Sequence, residues 1–312
     1  MASPIIALAG ASGDLGARIA RALTARGALV RALVRPGLPD AERARLEAAG
    51  LGPAEADPAD VAATARALEG AACVVSALNG LDAAILDRKG VLLDAAAQAG
   101  VPRFIPSDFS EDFTGTTPGR NRNLDLRRAF MERADRKRGD GAQVRLTSIL
   151  NGAFMDMLGA QMPIIQPRLR RVIFWRSADQ PLDFTTKDDV AAFTAEAALD
   201  AATPRFLRIA GDTVSVRQIA AVMSTVSGRP NKPLRAGGIG SLGVLIRIAR
   251  TLATQADETF PAWQGLQYMR DMFSGQGQLS PLDTNRYPGL RWTSVRDHLA
   301  HMQASGRLGR HG

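Results

Sequence analysis

Gly10-Ala11-Ser12-Gly13-Asp14-Leu15-Gly16 is the stretch whose reading decides the fold. It follows the apolar run Ile5-Ile6-Ala7-Leu8-Ala9 and opens a segment in which Leu15, Ile19 and Leu23 recur every fourth residue before Gly27. A buried strand, a glycine-rich turn and an amphipathic helix make the first βα unit of a parallel sheet. Each glycine has a mechanical purpose: one permits the sharp turn, one lets backbone approach a diphosphate, and one lets the helix pack against the strand. The helix N-terminus then offers unpaired N–H groups and partial positive charge to an anion. Gly238-x-Gly240-x-x-Gly243 matches the better-known glycine spacing, but it follows Asn231-Lys232-Pro233-Leu234-Arg235, which reads as no buried strand. It is predicted to be a loop and a helix start.

Working outward, strand and helix patterns alternate over the first 150 residues, as βαβ units require. Helices are predicted over Asp14–Arg26, Pro58–Leu68 and Ala83–Ala99. Strands are predicted over Ala28–Val34, Cys73–Leu78, Arg103–Pro106 and Val144–Leu150. Ser107 to Arg122 forms a long polar connection, and such loops in compact domains are usually functional or mobile. Beyond Asn151 the alternation weakens, although Thr186 with Asp189 and then Ser215 carry helix-start signals. The expected architecture is α/β: a Rossmann-type doubly wound parallel sheet over residues 1–150 and a smaller α+β subdomain over 151–312. Some strands of that subdomain are expected to return to the main sheet.

The second strand decides between cofactors. An NAD site places an acid about twenty residues past the turn, on the ribose hydroxyls. Here Val34-Arg35-Pro36 stands in that place, and no acid follows until Asp40. The Arg35 guanidinium suits a 2′-phosphate because it forks onto phosphate oxygens. One such charged hydrogen bond is worth about 1.5–3 kcal/mol, roughly a ten- to hundredfold preference for NADP(H). Arg31 is a second candidate. Asp57 either accepts from the adenine amino group or caps a helix. Ser76, Ala77 and Leu78 end the fourth strand at the crest where open α/β sheets bind ligands. The cofactor-binding set is therefore Gly10, Ser12, Gly13, Asp14, Leu15, Gly16, Arg35, Asp57, Ser76, Ala77, Leu78 and Ser107. Ser107 has the alternative of merely ending its strand.

Composition narrows the rest. The formal charge is +8, but the basic residues are dispersed and only Lys89, Lys137, Lys187 and Lys232 are lysines. A solvated surface explains this better than a nucleic-acid groove. Cys73 is the only cysteine, which suits a reducing cytoplasm, and no stretch reads as a membrane segment or secretory signal. His298 and His301 share a helix without further ligands, so no metal is expected.

These residues resemble the NmrA-like family of atypical short-chain dehydrogenase/reductases, which includes isoflavone-reductase-like enzymes. The likeness rests on Gly10–Gly16, Leu33-Val34-Arg35, Val75-Ser76-Ala77-Leu78, Arg103-Phe104-Ile105-Pro106-Ser107-Asp108-Phe109 and Pro181–Val190. It implies a Rossmann domain with a small C-terminal subdomain. Isoflavone-reductase-like members carry a lysine, implicated in catalysis, shortly before an Arg-Arg pair. Matching that pair to Arg127-Arg128 puts the lysine's place at Arg122 or Asn123, which stand as the catalytic candidates. Arginine stays protonated to about pH 12, so Arg122 suits an oxyanion rather than proton donation. The Tyr-x-x-x-Lys pair of more familiar short-chain enzymes is also absent.

The function these readings favour is NADPH-dependent reduction of a small, aromatic carbonyl or activated alkene. Asp108, Phe109, Asn151 and Phe154 are the substrate candidates, with Phe154 equally suited to the core. The alternative is a catalytically silent NADP(H)-sensing regulatory protein. A small-molecule substrate is expected, nucleic acid and membrane are not, and a homodimer or regulatory protein partner is left open.

Overall fold

Strand β1 (Ile5–Ala9) is buried from Ile6 to Ala9, as an apolar run in the middle of a sheet must be. The structure is a computed structural model that describes residues 3–139, 143–159, 162, 164–252 and 258–308. Helix α1 (Asp14–Thr24) follows and turns Gly16, Ile19, Ala20 and Leu23 inward. Gly27, at φ 77°, reverses the chain into β2 (Leu29–Val34). The alternation continues through α2 (Asp40–Ala48), β3 (Leu51–Glu55), α3 (Val61–Leu68) and β4 (Cys73–Ser76). A π-helix over Ala83–Arg88 then runs directly into α4 (Lys89–Gln98), before β5 (Arg103–Ile105), α5 (Arg122–Gly139) and β6 (Arg145–Leu146).

The six strands form one sheet in the order β3-β2-β1-β4-β5-β6, and every pairing is parallel. Strand order reverses between β1 and β4, so the crevice at their carboxyl ends is the expected ligand position. Phe104, Phe130, Leu92, Leu93, Val74 and Leu146 are among the core of this layer. Burying each such side chain contributes about 1.5–3 kcal/mol. Arg103 is buried at the start of β5 because its guanidinium donates to the carbonyls of Ala197, Ala198 and Asp200. It closes the last turn of α6 (Lys187–Leu199), where unpaired carbonyls favour a cation.

The chain forms two compact units that are interleaved in sequence. The first comprises Met1–Phe109, Leu126–Ile149 and Val190–Leu207; the second comprises Ser110–Asp125, Leu150–Asp189 and Arg208–Gly312. The predicted strand Val144–Leu150 is in fact two. After β6, Ser148–Leu150 forms β7, which pairs with β12 (Phe206–Arg208) instead of the main sheet.

Within the second unit, β8 (Ala153–Phe154), β11 (Leu182–Thr185) and β13 (Asp212–Val214) form one small sheet. A second consists of β9 (Ile165–Gln166), β10 (Arg171–Trp175) and β14 (Lys232–Gly237). Helices α7 (Val216–Ser227), α8 (Ile239–Leu252), α9 (Ala262–Ser274) and α10 (Val295–Ala304) complete it. Helix α7 opens with a capping box between Ser215 and Gln218, and the Thr186 hydroxyl accepts from the Asp189 amide at the start of α6. Most of Asn231–Arg235 is strand β14, but no residue of that strand is buried, and Lys232, Leu234 and Arg235 are exposed. The glycines at 238, 240 and 243 do begin a helix, and a side chain at any of them would meet open space. Among the described residues no helix is long and apolar enough to cross a membrane.

Candidate functional site

The turn between β1 and α1 lies at the reversal of strand order. Gly10 has φ 84°, and a Cβ there would come within 3.0 Å of the Ala77 carbonyl group, just past the end of β4. A Cβ at Gly16 would collide with the Gly10 carbonyl oxygen. These two glycines are demanded by the fold itself. Gly13 is different. Its φ is −75°, and a Cβ would touch only the Gly10 oxygen at an ordinary 3.4 Å. Its N–H donates to Gly10 at 3.1 Å, which closes the turn. No side chain caps α1, and first-turn amides of any helix lack intrahelical acceptors. Asp14 pairs with Arg18 at 2.8 Å.

A cavity of about 550 Å³ opens beside this turn. Gly10, Ala11 and Ser12 form one wall, Arg35 enters from the end of β2, and Arg88 from the end of the π-helix. Leu33, Leu38, Leu46, Leu78 and Leu92 supply apolar lining. A volume of this size, part apolar and bordered by the glycine turn and two cations, fits a dinucleotide's adenosine and phosphates. Both Arg35 and Arg88 are exposed. Arg31 is already engaged, since its guanidinium donates to the Ala67 and Glu69 carbonyls at 2.9 and 2.7 Å.

The other cofactor candidates divide. Leu78 lines the cavity, and its amide donates to the buried Ser76 hydroxyl at 3.5 Å. The Ala77 amide continues the β1 ladder by donating to Ala9 at 2.8 Å. Ala56 and Pro58 line the cavity on either side of Asp57. The Asp57 carboxylate accepts from the Ala59 amide at 2.9 Å, while Asp60 caps α3. Ser107 is 4% exposed, and among the described residues its hydroxyl oxygen has no hydrogen-bond partner.

Sequence reading missed what Asp108 does. Its carboxylate accepts from Lys89 Nζ at 3.0 Å and from the Ser148 hydroxyl at 2.7 Å, with Lys89 fully buried. The ammonium lies 4.1 Å over the Phe130 ring. Burial pulls the Lys89 pKa down, and Asp108 opposes that shift. The signal in the sequence was a lysine two residues before the apolar run Val91-Leu92-Leu93. Phe109 is buried as well. Cys73 has its thiol pushed up to about 12 by burial, so it packs rather than reacts.

Four candidates belong to the second unit. The Arg122 guanidinium donates to the carbonyls of Glu258 and Thr259, both at 2.9 Å, and lies 4.6 Å over the Trp263 ring. The Asn123 amide donates to Thr259 at 3.0 Å. Asn151 is buried, and among the described residues its side-chain oxygen has no hydrogen-bond partner; Phe154 is half-buried in β8. The segment Ser110–Asp125 is anchored by side chains of α9. Asn121 donates to Asp271 at 2.9 Å and accepts from Gln264 at 2.7 Å, and the Arg122 amide donates to Gln267 at 3.1 Å. Glu111 in the same segment is buried, and its carboxyl is held well above the usual range by burial and by Asp271 and Asp183. Among the described residues no three metal-ligating side chains come together.

The topology and the turn define a class: Rossmann-type α/β proteins whose first βα turn has the geometry of a dinucleotide cradle. The chain belongs to the NmrA-like family, whose model matches residues 3–236. Solved structures show the same fold. AtPrR2 with NADP+ and (+)pinoresinol superposes with a TM-score of 0.78 at 20% identity, over 96% of this chain and 99% of that one. The leucoanthocyanidin reductase–NADPH complex from Vitis vinifera gives 0.76 at 19% identity, with coverages of 96% and 99%. Isoflavone reductase gives 0.75 at 20% identity, with coverages of 96% and 100%. These relatives include structures solved with NADP+ or NADPH bound. No curated protein matches the chain in sequence.

Proposed function

We propose that this protein is an NADPH-dependent oxidoreductase that reduces a small, aromatic carbonyl or activated alkene. The observation that carries this reading is the cavity beside the uncapped α1 turn, with Arg35 on its wall. The backbone of Gly10 to Gly16 would hold the diphosphate, where the helix dipole adds attraction. Arg35 would fork onto the 2′-phosphate, and Leu78 with Ser76 and Ala77 would border the cofactor at the β4 crest. The Ser107 hydroxyl has a donor to offer to cofactor or substrate. Bound NADPH supplies a hydride. The names of the structural relatives, reductases of aromatic plant compounds, favour a substrate of similar chemistry.

On this reading Asp108, a buried ion-pair partner, and Phe109, a packed ring, are candidates for shaping the substrate's surroundings. Asn151, with its spare acceptor, and Phe154 are the candidates for touching substrate. Arg122 would act on an oxyanion at most, so turnover would require a proton donor other than a lysine at position 122 or 123. A lone buried thiol suits a cytoplasmic setting.

One observation favours a second reading, a silent NADP(H) sensor acting through a regulatory protein partner. The two residues in the lysine's place spend hydrogen bonds on the Glu258 and Thr259 carbonyls. The test is NADPH oxidation against a panel of aromatic ketones, enones and quinones, with NADPH and NADH affinities titrated in parallel. Turnover with one class is expected. Tight binding without turnover favours the sensor, and absence of cofactor binding overturns both.

A further inference from the structure

Neighbouring residues Arg88 and Lys89 have opposite fates, and the π-helix sets the junction between them. The Lys89 amide donates to the Ala84 carbonyl five residues back, the wide spacing of a π-turn. Lys89 is thereby sealed against Asp108, whereas Arg88 stands exposed on the cavity wall. Val91 and Leu92, three and four residues further along, line the same cavity. Residues at that spacing share one helical face, so Arg88 is the charged head of a face otherwise given to apolar lining.

Among the described residues its charge has no partner. Elsewhere in the first unit, Arg18, Arg26, Arg31, Arg43 and Arg103 each meet a carboxylate or a carbonyl. Among the described residues neither Arg88 nor Arg35 has such a contact, and both line the one cavity beside the glycine turn. Glu42 is the single acid on that wall, against the two arginines. Two guanidinium groups on separate elements, facing a cavity walled in part by the glycine turn that leads into α1, are what a multiply phosphorylated ligand requires.

We propose that Arg88 is a second phosphate ligand of the dinucleotide, acting from the π-helix side while Arg35 acts from β2. This inference rests on the cofactor reading above. Binding of NADPH, NADH and adenosine 2′,5′-bisphosphate to the full-length wild type, Arg88→Ala, Arg88→Lys and Arg35→Ala tests it. Arg88 is exposed, so the alanine variant should melt with the wild type. Arg88→Ala is expected to weaken NADPH about ten- to hundredfold, the effect of one charged hydrogen bond, with partial recovery in Arg88→Lys. A loss shared equally by NADH assigns Arg88 to the diphosphate, and a loss confined to NADPH and the bisphosphate assigns it to the 2′-phosphate. Wild-type affinity for all three ligands in a folded Arg88→Ala overturns the proposal while leaving the cofactor reading intact. A wild type that binds none of them overturns the cofactor reading itself.

Discussion

Gly13 and Gly16 stand in the same turn and answer to different demands. Gly16 has no room for a side chain, because its neighbour is the Gly10 carbonyl; Gly13 has room, and its φ suits any residue. If the turn cradles a diphosphate, the reason for glycine at 13 is the approach of the ligand. Gly13→Ala should therefore keep its unfolding free energy within about 0.5 kcal/mol of wild type yet lose at least about tenfold in NADPH affinity, about 1.4 kcal/mol. A melting curve and a titration on one sample check this, and unimpaired binding by a stable variant would remove Gly13 from the site. The glycines and Arg35 were legible in the sequence because a sharp turn restricts residue type and an acid is missing from a known place. Asp108 was readable as a substrate candidate, but its buried ion pair was not. Lys89 lies nineteen positions away, and only the packing of α4 on the sheet brings the two charges together.

At the scale of elements, that pair ties α4 to the end of β5. A buried ion pair is weak evidence of net stabilisation, but removing one partner strands the other charge. Lys89→Met should destabilise the protein by about 3–5 kcal/mol, and Lys89→Met with Asp108→Leu should recover part of that loss. Denaturant unfolding of the three forms decides it; a single variant as stable as wild type would show that Asp108 is neutral or otherwise satisfied. The strands and helices of the first unit were readable from apolar runs and four-residue spacing. The break between β6 and β7 was not, because Val144–Leu150 is continuous in pattern and only its partners change. The long connection after β5 carried the signal of a loop, but its polar residues proved to be hydrogen-bonding partners of α9.

At the scale of a whole unit, titration of buried carboxyls in the second unit bears on that unit's folding. Glu111, Asp183 and Asp271 of the second unit all have carboxyls raised above their usual values, chiefly by burial. A raised acid lends stability that is fully present below the unfolded value, 4.5 for Glu111, and is lost as pH rises through the folded value. Glu111→Gln stays neutral throughout. The variant should melt near wild type in mild acid and increasingly above it toward pH 8, with a smaller slope left from the two aspartates. A difference in melting temperature that is constant with pH would contradict this assignment. Net charge and composition could not show it, since burial of particular carboxyls is a property of tertiary packing.

The measurement that tests the central claim most directly is the affinity of the wild-type chain for NADPH and NADH, with Arg35→Ala beside it. Wild type should prefer NADPH by roughly ten- to hundredfold, and the variant should lose that preference while holding NADH nearly as before. Equal affinities in the wild type, equal losses in the variant, or no binding of either nucleotide would contradict the account.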